Sequence, residues 1–277
     1  MLSRWNFVVY DIKALCKALD ELIRLNFRRS KRGRKPKHSI RSYFKLIIAK
    51  EFKKASLREA ECDYSRIVCK SRVDHAVIHY WEKKFDKKLI ERIVKAVGSN
   101  LEQLLGYMFS VIDATKFTLW NKSNLEFHLF NRIANGTIYP VSIFFGKTSP
   151  SIATKDCIVK GIGHIYADAW YDDNKSFKIM IKQGYEPIVK ANKDRSKGYW
   201  RHKARKLWRN IKNRFAYRNR GRGESVFGAL TNWLGDRLKT SLISTSITRI
   251  GARIIAYLVK IYMRIKILYR ILRHTPL

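Results

Sequence analysis

The pattern of the chain changes at Gly106, and this change limits the folds that the chain can adopt. Before Gly106, apolar residues recur at helical spacing behind residues that cap helices. After Gly106 come short runs rich in β-branched and aromatic residues, the clearest being 137–145, which follows the hairpin signal Asn135-Gly136. A helical N-terminal part followed by a part with a β-sheet is therefore predicted.

The second part of the chain alternates strand-like runs with helical ones. We predict strands at 107–113, 116–120, 125–132, 137–145, 164–167 and 186–190, a short segment at 155–159, and helices at 174–183 and 224–238. The first two strands are expected to form a hairpin. This order indicates an α/β fold, with a mixed sheet and helices on its faces. We divide the chain into a helical domain, 1–105, and an α/β domain with C-terminal helices, 106–277.

The charge of the chain predicts a polyanionic partner. Lys and Arg number 58 against 22 Asp and Glu, which gives a formal charge of +36. The excess is spread over both halves, and this favours nucleic acid over an anionic membrane. Basic residues interrupt the longest apolar stretch, 250–272, too often for a membrane span. We expect this stretch to pack within the chain, with DNA, a dimer partner or a membrane surface as alternatives.

The N-terminus and the cysteines indicate a cytoplasmic protein. Residues 1–27 mix charged with apolar residues and contain no secretory signal. The four cysteines form no Cys-x2-Cys pair, and the seven histidines do not cluster, so no structural zinc is expected. Buried thiols in a reducing compartment are the interpretation that this pattern favours.

A basic run separates the first predicted helix, 1–27, from the next. Residues 28–37 read RRSKRGRKPK, with helix breakers at Gly33 and Pro36. The run is either a solvated linker or an arm that follows DNA phosphates. We favour the arm because helices suited to DNA follow it. The basic residues predicted to contact DNA there are Arg32, Arg34, Lys35 and Lys37.

Short helices then follow at a spacing that resembles a helix-turn-helix. Ser39 is predicted to cap a helix that ends near Phe52, and Ser56 opens a capping box whose short helix ends near Cys62. Asp74 is predicted to cap a helix over 73–85, and a further helix covers 88–105. Many small helical domains share this pattern, so the basic arm is what favours DNA binding.

A second basic segment, 193–222, lies in the α/β part. It carries 13 Lys or Arg, one acid and interleaved aromatic residues, which suits phosphate contacts and base stacking. Arg205 and Arg209 are predicted DNA contacts. The alternative is an exposed basic helix whose aromatic residues face the core, and both descriptions can hold for one amphipathic helix.

Three acids stand at element ends in a chain that has few acids. Asp113 follows the apolar run 107–112, Asp168 follows 164–167, and Glu224 opens a candidate helix. Each alone has an ordinary explanation, in a turn or at a helix dipole. Carboxylates from three separate elements can also converge on a pair of divalent metal ions that act on phosphodiesters. We call Asp113, Asp168 and Glu224 the acidic triad.

The residues around the acidic triad match a known pattern. Tyr217-x2-Arg220-x3-Glu224 resembles the Tyr-Arg-Glu-Lys signature of insertion-sequence DDE transposases, whose catalytic domain has the RNase H-like fold. The segments VIDATKF and YADAWYDDNKSF resemble the first and second acidic motifs of that family. GRKPKHS and the Ser-Leu-Arg-Glu stretch look like its DNA-binding part, so the resemblance covers nearly the whole chain.

The resemblance implies the roles of the site residues. The acidic triad would be catalytic and would bind two Mg²⁺ or Mn²⁺ ions, with Asp113 a ligand of both; Asp172 and Asp173 rival Asp168 as the second ligand. Arg220 would contact a DNA phosphate or orient a carboxylate, and Tyr217 would contact DNA or be a core aromatic residue. The implied partners are double-stranded DNA, as terminal inverted repeats and target, and a second copy in a homodimer.

One position departs from the family signature. Thr231 stands where the family has a Lys seven residues after the Glu, and the nearest basic residues, Arg237 and Lys239, are displaced along the chain. A catalytically inactive, transposase-derived DNA-binding protein is therefore an alternative to the enzyme. A third hypothesis is a basic RNA-binding or ribosome-associated protein, for which the acids have no role.

Overall fold

The computed structural model describes residues 11–23, 35–192 and 197–274, which form two compact units. The helical unit contains the described residues up to Val97 and those from Thr240 onward, and the α/β unit is Gly98–Lys239. The sequence interpretation placed one division at 105/106 and gave the C-terminal helices to the α/β part. The compact units differ from it because the C-terminal helix packs with the N-terminal helices. The functions assigned to the two parts stay predictions.

The N-terminal helices are α1 (Ile12–Leu22), α2 (Ile40–Phe52), α3 (Leu57–Glu59), α4 (Ser65–Cys69), α5 (His75–Lys84) and α6 (Lys87–Leu105). Helices α2, α3 and α5 begin directly after the caps that the sequence predicts. Ser39 accepts a hydrogen bond from Ser42 N at 3.0 Å, the capping box at Ser56 is formed, and Asp74 accepts from Ala76 N at 2.7 Å. The helix predicted to end near Cys62 is longer. A π-helical segment, Ala60–Tyr64, joins α3 to α4, because no Gly or Pro interrupts it.

Part of the N-terminal prediction lies outside the described residues. This applies to residues 1–10 and 24–34 and so to Arg32 and Arg34. Lys35 and Lys37 are described and exposed.

The α/β unit is built on the predicted mixed sheet. Its elements are β1 (Phe109–Leu119), β2 (Asn124–Ala134), β3 (Thr137–Phe145), α7 (Pro150–Cys157), β4 (Gly163–Ala167), α8 (Asn174–Lys182), β5 (Tyr185–Val189), α9 (Tyr199–Arg209), α10 (Ile211–Ala216), α11 (Gly221–Leu234) and β6 (Arg237–Leu238). The strand order is β3-β2-β1-β4-β5, and β6 pairs with β1. β1, β2 and β3 pair antiparallel, whereas β4 is parallel to β1 and to β5. This is the predicted RNase H-like fold.

Three element predictions in this unit are wrong. The runs 107–113 and 116–120 are not a hairpin but one strand, β1, because β2 pairs with it continuously from Phe109 to Thr118. The short segment at 155–159 belongs largely to helix α7, which starts with Pro150 at its first position. The helix predicted at 224–238 runs from Gly221 to Leu234, because Gly235 takes a positive φ of 78° and the next residues pair with β1.

The C-terminal helix, α12 (Ile243–His274), completes the helical unit. It packs against α1, α2 and α5, and Ile254, Ile255 and Leu258 are fully buried. Packing within the chain, the favoured prediction for 250–272, is confirmed. Among the described helices, none is long and apolar enough to cross a membrane.

Charged side chains cross the core of the helical unit. We call Lys50, Glu51, Glu82, Arg249 and Arg253 the buried charge network. Arg249 Nη2 donates to Glu82 Oε2 at 2.8 Å, Arg253 Nε donates to Glu51 Oε2 at 2.8 Å, and Lys50 Nζ lies 2.8 Å from Glu82 Oε1. Burial alone would raise the pKa of Glu51, but the charges of Lys50 and Arg253 lower it below its usual range. The network thus consists of paired charges that satisfy one another.

Candidate active site

Two members of the acidic triad lie on neighbouring parallel strands. Asp113 lies in the middle of β1 and is 7% exposed, while Asp168 directly follows β4. Ser110 pairs with Ile165 and Val111 with Tyr166, and this register, continued by two residues, brings Asp113 beside Asp168. Asp168 is also the N-cap of a 3-10 turn, Ala169–Tyr171, and accepts a hydrogen bond from Trp170 N at 3.0 Å. The sheet topology therefore brings these two carboxyl groups together.

Glu224 lies in the first turn of α11, and Gly223 lets that helix approach the sheet. A Cβ atom at Gly223 would lie 2.5 Å from Val111 Cγ1, closer than packed atoms allow. Val111 and Asp113 share one face of β1, because side chains alternate along a strand. Helix α11 therefore covers the face that carries Asp113, with Val226 and Leu230 buried beneath it.

We expect Gly223→Ala to slow the DNA cleavage that the sequence resemblance predicts. The added methyl group pushes α11 from Val111 and displaces Glu224, and a displacement of about 1 Å costs up to about a hundredfold in rate. The cleavage rate of Gly223→Ala should be partly restored in the double variant with Val111→Ala, which makes room for the methyl group. A Gly223→Ala protein with the wild-type rate would show that the close approach is not required.

Arg220 brings a positive charge into the acidic triad. Its Nη2 donates to Glu224 Oε1 at 2.6 Å, and its Nη1 lies 3.5 Å from Asp113 Oδ2. Burial lowers the pKa of Arg220, but nearby groups, including Asp113, Glu224 and Asp168, raise it overall. Asp113 and Glu224 thus already hold one cation, the Arg220 guanidinium, between them.

Tyr217 connects the turn before α11 to the end of β4. Its Oη donates to Ala167 O at 3.0 Å, and its ring meets Trp208 edge to face at 4.9 Å between centroids. Ala167 is the residue before Asp168. Tyr217 therefore contacts the end of β4 beside Asp168, while Arg220 contacts Asp113 and Glu224.

Burial of Asp113 makes its charged form costly. Burial raises the pKa of Asp113 to about 6; the Ala114 N–H and Arg220 oppose the shift, and Asp168 and Glu224 add to it. Burial likewise raises the pKa of Asp168. The effect of Asp168 and Glu224 on the pKa of Asp113 is what a converging acid cluster produces.

The raised pKa of Asp113 predicts how the stability of the metal-free protein varies with pH. A carboxyl group whose folded-state pKa, about 6, exceeds its unfolded value of about 3.9 costs stability progressively as pH rises between them. In EDTA, Asp113→Asn should therefore gain about 2–3 kcal/mol over the wild type between pH 4 and pH 7. Urea unfolding of both proteins at each pH checks this, and a constant difference would contradict it.

A comparison with known protein families matches residues 107–259 to the transposase DDE domain, more than half of the chain. The chain belongs to this transposase family. No curated protein and no solved structure matches the chain. Membership implies a transposase and hence DNA binding, and transposases of this family typically use divalent metal ions.

The acidic triad of the transposase offers a donor set suited to such ions. All its ligand atoms are carboxylate oxygens, which Mg²⁺ and Mn²⁺ prefer, and a bound cation offsets the cost of charging Asp113. Among the described residues, only Glu61, Asp74 and His75 place three ligand atoms within 4.8 Å of one another. The ligand atoms of the acidic triad thus do not all lie within 4.8 Å of one another. Glu61 is already paired with Arg72 and His75.

The two rivals of Asp168 have other partners in the transposase structure. Asp173 is the N-cap of α8, as is expected of an acid directly before a helix, and its carboxylate accepts a hydrogen bond from Ser176 N at 3.0 Å. Asp172 is 1% exposed and pairs with Arg201 at 2.8 Å. Asp168 is therefore the acid of this segment that is placed beside Asp113.

The predicted DNA-contacting arginines of α9 differ in their surroundings. Arg205 donates to Asn192 O at 2.9 Å and lies 3.5 Å from Asp172, so it bonds within the fold. Arg209 is exposed at the end of α9. On α11, Thr231 Oγ1 donates to Gly228 O at 3.2 Å, a contact within its own helix.

The sequence interpretation missed two contributors to this site. Gly223 carries a weak signal, because a glycine inside a helical run often marks close packing. Arg201 carries none, because it is one of many basic residues in its segment.

Proposed function

We propose that this transposase acts on double-stranded DNA at the ends of its insertion element, with the acidic triad as catalytic residues and metal ligands. The observation that supports this most strongly is the convergence of Asp113, Asp168 and Glu224 from β1, the end of β4 and α11 on an RNase H-like sheet. Arg220 contacts Asp113 and Glu224, and burial raises the pKa values of Asp113 and Asp168; both observations support a site that accommodates cations.

Each residue then has one task in the reaction. Asp113, Asp168 and Glu224 would hold two divalent ions, which would supply activation of water or of a 3′-hydroxyl and stabilisation of the leaving oxygen in an in-line displacement. In cleavage, the water oxygen bonds to phosphorus, the bond to the 3′-oxygen breaks, and the freed 3′-hydroxyl leaves. In strand transfer, that hydroxyl attacks a target phosphodiester in the same way. Neither step needs a protein base.

Arg220 and basic residues outside the site bind the DNA. Once its acidic partners hold metal ions, the Arg220 guanidinium is available to a phosphate oxygen beside the reacting group. Exposed Lys35, Lys37 and Arg209 contact phosphates outside the site, as do Arg32 and Arg34, which lie outside the described residues. Two copies act together, so that both element ends are held at once.

The test is metal-dependent cleavage of labelled element-end DNA by the full chain. We expect nicks and joined products with Mg²⁺ or Mn²⁺ and none with EDTA, on denaturing gels. DNA of unrelated sequence is the control for end specificity. Absence of cleavage with either metal, under conditions where the DNA is bound, contradicts the proposal.

Thr231 favours a second candidate function, that of a catalytically inactive, transposase-derived protein that binds DNA. The hydroxyl of Thr231 bonds to its own helix and cannot replace a Lys charge near the cut end. Specific binding of element ends without cleavage is the result that this alternative predicts. Cleavage that appears only in Thr231→Lys would identify this position as its cause.

A further inference from the structure

The segment that carries Asp168 is fixed at its far end by a buried ion pair. Asp168 opens the turn Ala169–Tyr171, and Asp172 closes it by donating its N–H to Ala169 O at 3.2 Å. Arg201, at the start of α9, donates from Nε to Asp172 Oδ1 at 2.8 Å and from Nη2 to Asp172 O at 3.0 Å. Asp172 is 1% and Arg201 8% exposed, so solvent does not replace these bonds.

Three parts of the chain meet at this ion pair. Asp172 Oδ2 accepts from Asn192 N, just after β5, at 2.7 Å. Asn174 Oδ1 accepts from Trp200 N at 3.0 Å and from Arg201 N at 3.1 Å, which caps α9. The segment after β4, the end of β5 and the start of α9 are therefore bonded together around Asp172.

Helix α9 belongs to the most basic part of the α/β unit. Residues 193–222 carry 13 Lys or Arg and one acid. Most side chains of α9 are exposed or half-buried, but Arg201 turns inward and its charge is used within the fold. The ion pair thus connects a helix suited to DNA phosphates with the segment of a metal-binding acid.

We propose that Arg201 and Asp172 are positioning residues for Asp168. They hold the turn that orients the Asp168 carboxyl group toward the metal ions, and they connect this turn to α9. The inference rests on the proposed role of Asp168 as a ligand. Asp172 is not itself a ligand, because Arg201 occupies Oδ1, while Oδ2 accepts from Asn192 N and lies 3.5 Å from Arg205.

The test compares Asp172→Asn and Arg201→Met with a matched control. Glu51→Gln is the control, because Glu51 pairs with Arg253 through the same kind of buried Nε bond, at 2.8 Å, in the helical unit. Mn²⁺ affinity is measured by calorimetry, and amide hydrogen exchange is measured for the peptide 168–173. Binding of element-end DNA without metal is measured in parallel.

Both test variants should bind Mn²⁺ about tenfold or more weakly, as is usual when a partner of a metal ligand is removed. Their amides at Trp170, Tyr171 and Asp172 should exchange faster. Glu51→Gln should leave both quantities unchanged. DNA affinity should change less than twofold or so in all three variants, because Asp172 and Arg201 are buried and their charges are not offered to phosphates.

Several outcomes would overturn the proposal. Folded variants with wild-type Mn²⁺ affinity and wild-type exchange would do so. Loss of Mn²⁺ binding in Asp172→Asn alone, with Arg201→Met unaffected, would identify Asp172 as a ligand instead. If Asp172→Asn does not fold, Arg201→Lys keeps the charge and must show faster exchange at Trp170. A wild type that neither binds Mn²⁺ nor cleaves DNA would refute the proposed function, while the exchange data still decide whether the ion pair holds the turn.

Discussion

Asp113→Asn is expected to abolish metal-dependent DNA cleavage, with a loss in rate of about a thousandfold or more. An amide has nearly the shape of the carboxyl group but cannot supply the negative charge that a shared metal ligand needs. Metal ions contribute several kcal/mol to such a transition state, and about 4 kcal/mol corresponds to a thousandfold in rate. Asp113 is buried in the middle of β1, so no other acid can take its place.

The cleavage assay on element-end DNA measures this loss, with Asp156→Asn as the matched control. Asp156 is an exposed acid on α7, and its replacement removes the same charge away from the site. The control should cleave at the wild-type rate. Urea unfolding of the metal-free Asp113→Asn protein at pH 7, where it should be more stable than the wild type, decides whether misfolding accounts for its inactivity. Residual cleavage within tenfold or so of wild type would refute the assignment of Asp113.

Glu82→Ala is expected to destabilise the helical unit by about 3–5 kcal/mol, the usual effect of removing one member of a buried ion pair. Glu82 is fully buried and accepts from Arg249 on α12 and Lys50 on α2. Without it, the three positive charges of Lys50, Arg249 and Arg253 stay in the core with one carboxylate, Glu51. The loss arises from these uncompensated charges as well as from the missing bonds.

Hydrogen exchange of α12 peptides, together with urea unfolding followed by circular dichroism, measures this effect. Asp20→Ala is the control, because Asp20 also accepts from a lysine, Lys45, at 2.6 Å but is half exposed. Such a pair contributes about 0–1 kcal/mol. Equal losses of stability in Glu82→Ala and Asp20→Ala would mean that burial does not increase the contribution of an ion pair to stability.

The α/β fold was predictable because its signals are local. Asn135-Gly136 marks the β2–β3 turn, and the run after it has the composition of a strand, so β3 has the predicted bounds. The continuity of β1 was not predictable in this way. The break assumed between residues 113 and 116 disappears because β2 is long enough to pair with both halves.

The sequence around α12 could not predict which helices it packs against. Its periodicity shows that it has a face to bury, but not what covers that face. Arg249 and Arg253 meet Glu82 and Glu51 across 167 and 202 positions of sequence. No pattern within one segment indicates which of the many charged residues pair at such distances.

The acidic triad could be proposed from the sequence because its acids follow apolar runs or open a helix, but Asp113 lies within β1 rather than at its end, and the contacts around the triad were not predictable. The sequence left open whether Arg220 binds phosphate or carboxylate, and the structure shows it on Asp113 and Glu224. Asp172 was a rival ligand in the sequence. Its pairing with Arg201 follows only from the packing of α9.

The place of α12 in the helical unit has a consequence for the order of synthesis. Helices α1, α2 and α5 share a core with α12, which follows the whole α/β unit in the sequence, so the helical unit cannot be completed until both of these have been synthesised. A product that stopped before Ile243 would keep Glu51 and Glu82 without their arginines.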